Sequence, residues 1–289
     1  MKSIKKPSPS MLNRSWVTTV TDNTGPLFFM LGPCVIESER HSLFMAEQLC
    51  EISAKLHVKF IFKSSFDKAN RTSLENFRGI GFEAGLRVLE KVRTTFDVPV
   101  VTDIHDTSCI DEVASIVDVL QIPAFLCRQT DLLIAAGKTG KVINVKKGQF
   151  VAPETMESVA HKITSTGNSH VWLCERGYAF GYNNLIVDYR NFPIMKRFNK
   201  PCIFDATHSV QRPSGQGSCS GGDRQFIPAL AAAAVVQGIA GIFMEVHDAP
   251  EKALCDGPNS IRLSDLEGLL KYLIELDVWT KSHRIPAFI

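Results

Sequence analysis

Neither a Walker A run nor a GxGxxG fingerprint occurs in this 289-residue chain, which argues against nucleotide binding in those modes. Eight cysteines are present without a CxxC pair, and a chain of this length does not resemble a disulfide-stapled scaffold, so a reducing cytosol is the expected home. Charge of one sign is lacking too. The 32 Lys and Arg against 30 Asp and Glu leave a net charge of +2, too little to point to a nucleic-acid partner. No membrane span is expected. The most apolar window, residues 227–246, carries Gln237 and Glu245 and is broken by Gly238 and Gly241, so it reads as an Ala-rich helix and then a buried strand. The basic start runs into polar Pro7-Ser8-Pro9-Ser10 instead of an apolar core, so no signal peptide is expected. With 45% hydrophobic and 21% charged residues, the chain has ample material for a core.

What the chain has instead is a repeating alternation. Residues 1–26 are polar and turn-rich, with a strong turn signal at Asp22-Asn23-Thr24-Gly25-Pro26, and read as an N-terminal extension with a small hairpin. From residue 27 to 289, short apolar runs begin near Leu27, Lys59, Val98, Val117, Val142, Val171, Cys202 and Gly241. Helical patterns separate them, among them one that starts after the Ser38 cap and one expected to contain Arg128. Eight strands in alternation with helices favour a single (β/α)8 TIM barrel, an α/β catalytic domain, with an open sheet of similar period as the alternative.

The strand ends carry the chemistry. Cys34, Lys63, Asp103, Gln121, Lys146, Arg176, His208 and Glu245 each stand at or near the end of a run, and such ends converge on one barrel mouth. Six cations, Lys63, Lys68, Arg71, Arg128, Lys146 and Arg176, would gather there in a nearly neutral chain, which suits one or two phosphorylated substrates. Cys34, His208, Glu245 and Asp256 make a mixed sulfur, nitrogen and oxygen set for a divalent transition metal, Zn²⁺ or Fe²⁺ first, with Mn²⁺ and Co²⁺ as further candidates.

Several separate segments carry a resemblance. They are Phe62-Lys63, Lys68 to Ser73, Gln121 to Asp131, Asn144 to Phe150, Phe204 to His208 and Cys255 to Pro258. In this order they resemble the 3-deoxy-D-manno-octulosonate 8-phosphate synthases, also called 2-dehydro-3-deoxyphosphooctonate aldolases, over about residues 27–275. The resemblance implies a transferase: a (β/α)8 barrel, usually a cytoplasmic homotetramer, that condenses phosphoenolpyruvate with D-arabinose 5-phosphate and water for lipopolysaccharide synthesis.

Residue by residue, the resemblance makes Lys63, Lys68, Lys146 and Arg176 the phosphoenolpyruvate cations, with Arg128 and Gln121 close by. Lys63, Lys68, Lys146, His208 and Asp256 are the expected catalytic set. Asn70, Arg71, Thr72 and Ser73 match the sugar phosphate segment, whose Arg usually serves a neighbouring subunit, and Asp103 joins the substrate-binding set. Cys34 matches the metal-dependent branch, whereas Cys255 before Asp256-Gly257 is more usual in the metal-independent one. The nearest rival is 3-deoxy-D-arabino-heptulosonate 7-phosphate synthase, which uses erythrose 4-phosphate and usually has Pro where this chain has Ala69-Asn70. More distant rivals are a Schiff-base aldolase using Lys63 or Lys146 and a non-catalytic sugar-phosphate-binding barrel.

Overall fold

The apolar runs form parallel strands in a computed structural model that describes residues 14–213 and 221–283. They are β1 (Phe28–Gly32), β2 (Phe60–Lys63), β3 (Val100–Asp103), β4 (Val119–Ile122), β5 (Val142–Lys146), β6 (Val171–Glu175), β7 (Cys202–Asp205) and β8 (Gly241–His247). Each pairs in parallel with the next, and β1 pairs with β8 from Phe28↔Gly241 to Gly32↔Glu245. That last pairing closes the sheet into a barrel and removes the open-sheet alternative. The helices are α1 (Trp16–Thr19), α2 (Glu39–Leu56), α3 (Phe82–Phe96), α4 (Ile110–Ile116), α5 (Thr130–Lys138), α6 (Thr155–Thr164), α7 (Asn191–Lys196), α8 (Ile227–Val235) and α9 (Leu263–Ser282), and short two-residue strands and 3-10 turns decorate the loops between them. Arg128 precedes α5 instead of lying within it, because the chain after β4 first makes the short 3-10 turn Ala124–Leu126.

Strand period two sorts every strand into an inner and an outer face. Phe28, Met30, Ile61, Val101, Val119, Val142, Trp172, Ile203 and Phe243 share the barrel-interior cluster. Phe29, Leu31, Phe62, Val100, Leu120, Ile143, Leu173 and Phe204 pack in the other large cluster, with the helices. Two residues beyond an interior residue, the inner face turns polar: Ile61 leads to Lys63, Val101 to Asp103, Val119 to Gln121, Val142 to Asn144 and Lys146, Ile203 to Asp205, and Phe243 to Glu245. The barrel is therefore apolar below and charged at its C-terminal mouth. Gly32 permits the close approach of β1 to β2 at the mouth, since a Cβ there would lie 2.1 Å from the Lys63 carbonyl oxygen.

Among described residues 14–26 no strand forms, so the hairpin expected in the extension gives way to α1, and residues 1–13 lie outside the described residues. The physical reason is burial. Trp16 and Val17 join the apolar bottom of the barrel, where Trp16 meets Phe28 edge-on with ring centroids 5.4 Å apart. The Trp172 indole N–H donates to the Val20 carbonyl at 3.1 Å, and Asn23 bonds both the Lys200 carbonyl (3.0 Å) and the Cys202 amide (2.7 Å). Trp16→Ala should cost about 3 kcal/mol of stability, the lower end of the range for a buried aromatic. Denaturant unfolding should show this, and a change of only a few tenths would mean that the extension is a loose appendage.

Candidate active site

Strand order and face bring the inner polar residues of β2, β3, β4 and β5 into one hydrogen-bonded chain. The Lys63 ammonium donates to the Ser65 hydroxyl at 3.1 Å and to the Cys34 carbonyl at 3.1 Å. Ser65 donates to Asp103 Oδ2 at 2.5 Å, the Gln121 amide donates to Asp103 Oδ1, and the Asn144 amide donates to Gln121 Oε1 at 2.9 Å. Each member is buried, so each donor and acceptor direction is committed.

On the opposite wall, Lys146 pairs with Asp205 and stands 3.3 Å from the Phe243 ring centroid. Asp205 also holds His208, with Nδ1 at 2.8 Å from Oδ2 and the His208 amide donating to Oδ1 at 2.9 Å. Arg176 donates to Gln211 Oε1 at 3.2 Å, leaving its Nη1 buried without a partner. The backbone that carries it is anchored from behind. Glu175 accepts the amides of Arg176 (2.9 Å) and Gly177 (2.6 Å), while buried Lys147 lies 3.5 Å from the same carboxylate.

Electrostatics follow from this crowding. Burial would raise the Asp103 and Asp205 carboxyls, yet Lys63 and Lys68 beside Asp103, and His208 and Lys146 beside Asp205, hold both well below the usual range. Burial would lower Lys68, but the neighbouring Cys34, Glu245, Cys255 and Asp103 push it well above its ordinary value. It remains a cation at neutral pH. A carboxyl depressed in the folded state contributes stability that is present above its unfolded pKa of about 4 and lost as pH falls toward the folded value. The protein should therefore lose stability on acidification below about pH 4, and Asp103→Asn should flatten that part of the curve. An unchanged acid slope in Asp103→Asn would contradict the assignment.

Asp256 joins two neighbouring groups at the mouth, one with Cys34 and Cys255 and one with His208 and Glu245, the donor atoms of each group lying within 4.8 Å of one another. Cys34 Sγ is 3.5 Å from Asp256 Oδ2, and His208 Nε2 is 3.6 Å from Glu245 Oε1 and 3.7 Å from Asp256 Oδ2. Both Glu245 oxygens are buried without a hydrogen-bond donor, and Oε1 stands 3.5 Å from the Lys63 ammonium and 3.9 Å from that of Lys68. Donor atoms about 2.1 Å from a tetrahedral metal stand roughly 3.4 Å from one another, so the spacings among His208, Glu245 and Asp256 fit a divalent ion, with the Cys34 thiol beside Asp256. Without one, burial first and then the Cys255 thiol push the Cys34 thiol well above its ordinary value.

The segment from Asn70 to Ser73 is less gathered. Asn70 and Thr72 are exposed, Ser73 is half-buried, and Arg128 is exposed, with its carbonyl accepting from Lys162 at 3.1 Å. Arg71 turns into its own chain, Nη1 lying 2.7 Å from Cys255 Sγ with Nε buried and unpartnered. It lines a cavity of about 660 Å³ together with Arg224, Cys255 and Asp256. Asn144, Ser65 and Asp205 complete the mouth but were not among the expected site residues. The inner-face parity of Asn144 and Asp205 was the available signal, since each falls two residues after an interior apolar residue.

A closed (β/α)8 barrel whose C-terminal mouth sets buried cations beside carboxylates, a thiol and an imidazole belongs to the class of barrel enzymes that act on small anionic substrates. A family model described as the DAHP synthetase I family matches residues 14–282. The chain belongs to that family. It is 55% identical over 264 residues, 91% of this chain and 95% of the relative, to a protein of Dichelobacter nodosus named 2-dehydro-3-deoxyphosphooctonate aldolase. A protein of Geobacter sp. (strain M21) with the same name is 58% identical over 252 residues, 87% of this chain and 92% of the relative.

Proposed function

We propose that this chain condenses phosphoenolpyruvate with D-arabinose 5-phosphate and water, giving 3-deoxy-D-manno-octulosonate 8-phosphate and phosphate for lipopolysaccharide synthesis in the cytoplasm. The observation that carries the reading is four cations, Lys63, Lys68, Lys146 and Arg176, all buried at one barrel mouth. Identity of 55–58% to proteins named 2-dehydro-3-deoxyphosphooctonate aldolase selects this reaction over its seven-carbon relative. Among the described residues no helix is long and apolar enough to cross a membrane.

In this reading Lys63, Lys146, Arg176 and Gln121 hold the carboxylate and phosphate of phosphoenolpyruvate, and Lys68 neutralises charge between the two substrates. Asn70, Arg71, Thr72, Ser73 and Arg128 address the sugar phosphate, with Asp103 fixing Lys63 and Gln121 through the chain described above. Holding two anions face to face is where proximity and preorganised charge contribute most. C3 of phosphoenolpyruvate attacks the aldehyde carbon, whose oxygen becomes a hydroxyl by taking a proton. Water adds at C2 and loses a proton, and phosphate leaves with its bridging oxygen as the C2 ketone forms. His208, braced by Asp205, stands where it can orient the sugar aldehyde. Cys34, His208, Glu245 and Asp256 would hold a divalent transition metal, which when bound orients the sugar and lowers the pKa of a coordinated water.

Phosphoenolpyruvate labelled with ¹⁸O at the bridging position tests the reaction type. The label should appear in released phosphate only when arabinose 5-phosphate is present, and its retention in the carbon product would contradict the scheme. A homotetramer is the proposed assembly. Arg71→Ala should raise KM for the sugar phosphate by roughly 100-fold while leaving that for phosphoenolpyruvate within a few-fold, because charge-assisted guanidinium bonds to phosphate are among the stronger ones. Equal losses for both substrates would refute this role.

A further inference from the structure

A second cluster of metal-ligand side chains lies outside the mouth, where the start of α2 meets the end of β8. Glu37 stands just before Ser38, whose hydroxyl accepts the His41 amide at 3.1 Å and starts the helix. This places Glu37 and His41 one turn apart, facing His247 at the end of β8. One donor atom each from Glu37, His41 and His247 lies within 4.8 Å of the others.

The hydrogen bonds around the two imidazoles indicate which nitrogens are free. Asp248 Oδ1 lies 3.0 Å from His41 Nε2 and 3.0 Å from His247 Nδ1. If both nitrogens keep their protons for that oxygen, the lone pairs fall on His41 Nδ1 and His247 Nε2. Both of these atoms are buried without a hydrogen-bond partner. His247, whose side chain is 7% exposed, directs Nε2 to 3.3 Å from Glu37 Oε1, the separation of two ligands on one small cation. The two imidazoles lie with centroids 4.6 Å apart and their planes tilted by 37°, so both rings face the same small space. The Ala249 amide also donates to His247 Nδ1 at 3.0 Å, which needs the lone pair on that nitrogen. It favours the competing tautomer, in which Nε2 keeps the proton and Glu37 merely accepts it.

We propose that Glu37, His41 and His247 form a second divalent transition-metal site, with Asp248 as the outer carboxylate that orients both imidazoles. Two imidazoles and one carboxylate, braced by a further carboxylate, suit Zn²⁺ or Co²⁺ better than Mg²⁺. Glu37 Oε1 also accepts the Leu254 amide at 2.8 Å, immediately before Cys255-Asp256. Occupancy therefore ties the loop that carries Asp256 to the segment that carries Cys34, and its effect is on the rigidity of the mouth.

The test is a Co²⁺ titration of the full-length, metal-stripped protein, read by bound metal per chain and by absorbance. Cobalt at Cys34 gives a sulfur-to-metal charge-transfer band, and cobalt on nitrogen and oxygen ligands does not. His41→Ala and His41→Gln should each bind one fewer ion per chain than the unaltered protein, with any charge-transfer band unchanged. Asp248→Asn should weaken that same step about 10- to 100-fold. Added Zn²⁺ should raise Tm in Cys34→Ala but not in Cys34→Ala combined with His41→Gln, a readout that holds even if one variant folds poorly. Equal metal uptake by the unaltered protein and both His41 variants would overturn the proposal and leave the cluster a hydrogen-bonded pair of histidines. Because uptake is measured without substrate, that outcome is independent of the proposed reaction.

Discussion

Lys146→Met should lower kcat by roughly 10³-fold, the upper range for removing one preorganised charge from a water-poor site. Lys146 is 4% exposed, is paired with Asp205 and stands over the Phe243 ring, so its ammonium is shielded from bulk water. The same change leaves Asp205 buried and missing one of its partners, which should cost about 3 kcal/mol of stability. These two effects separate in a double variant. Adding Asp205→Asn to Lys146→Met should recover most of the stability, because the orphaned charge is gone, and should recover none of the rate. Recovery of both would make Lys146 a structural cation, and recovery of neither would mean that the loss came from packing against Phe243.

Cys34→Ala should lose bound metal and about 10³-fold in rate, since several kcal/mol of charge stabilisation goes with a coordinated divalent ion. The thiol is 3% exposed and donates to Asp256 at 3.5 Å, so alanine removes the proposed ligand and leaves no polar substitute. Ligation must displace the thiol proton, so metal uptake should release protons and tighten as pH rises. Cys34→Asn should behave differently. An amide there can hold the sugar hydroxyl and a water by hydrogen bonds, so part of the activity should persist with chelator present. A metal-free protein that keeps full activity after exhaustive chelation would make Cys34 a bystander and Cys255-Asp256-Gly257 the better guide to the branch.

The barrel was legible because its signal is local. Runs such as Phe60-Ile61-Phe62 and Val142-Ile143-Asn144-Val145 carry their strand character without reference to the rest of the chain, and α2 runs from Glu39 to Leu56 after the Ser38 cap. Lys63, Asp103, Gln121, Lys146 and Glu245 were found because they end those runs. Asp205 and Asn144 were passed over because more conspicuous residues, His208 and Lys146, stand close by in sequence. Counting the inner face from Ile203 and Val142 would have found both.

What could not be read is what depends on distance. Cys34 and Asp256 are 222 positions apart and meet only because β1 closes on β8. The turn at Asp22 was real, with its carboxylate accepting the Thr24 amide at 2.8 Å, but among described residues 14–26 no hairpin forms around it. The apolar floor of the barrel recruits Trp16 and Val17, and nothing in residues 1–26 reveals that floor. Arg128 misled for a similar reason, since the turn at Ala124–Leu126 delays α5 past it.

The most direct measurement of the central claim is phosphate release by the purified, metal-loaded protein given phosphoenolpyruvate with either sugar phosphate. Release should be rapid with arabinose 5-phosphate, slower by at least roughly 100-fold with erythrose 4-phosphate, as expected when a site built for one set of hydroxyls meets another, and absent with phosphoenolpyruvate alone. Equal or faster turnover with erythrose 4-phosphate would contradict the account.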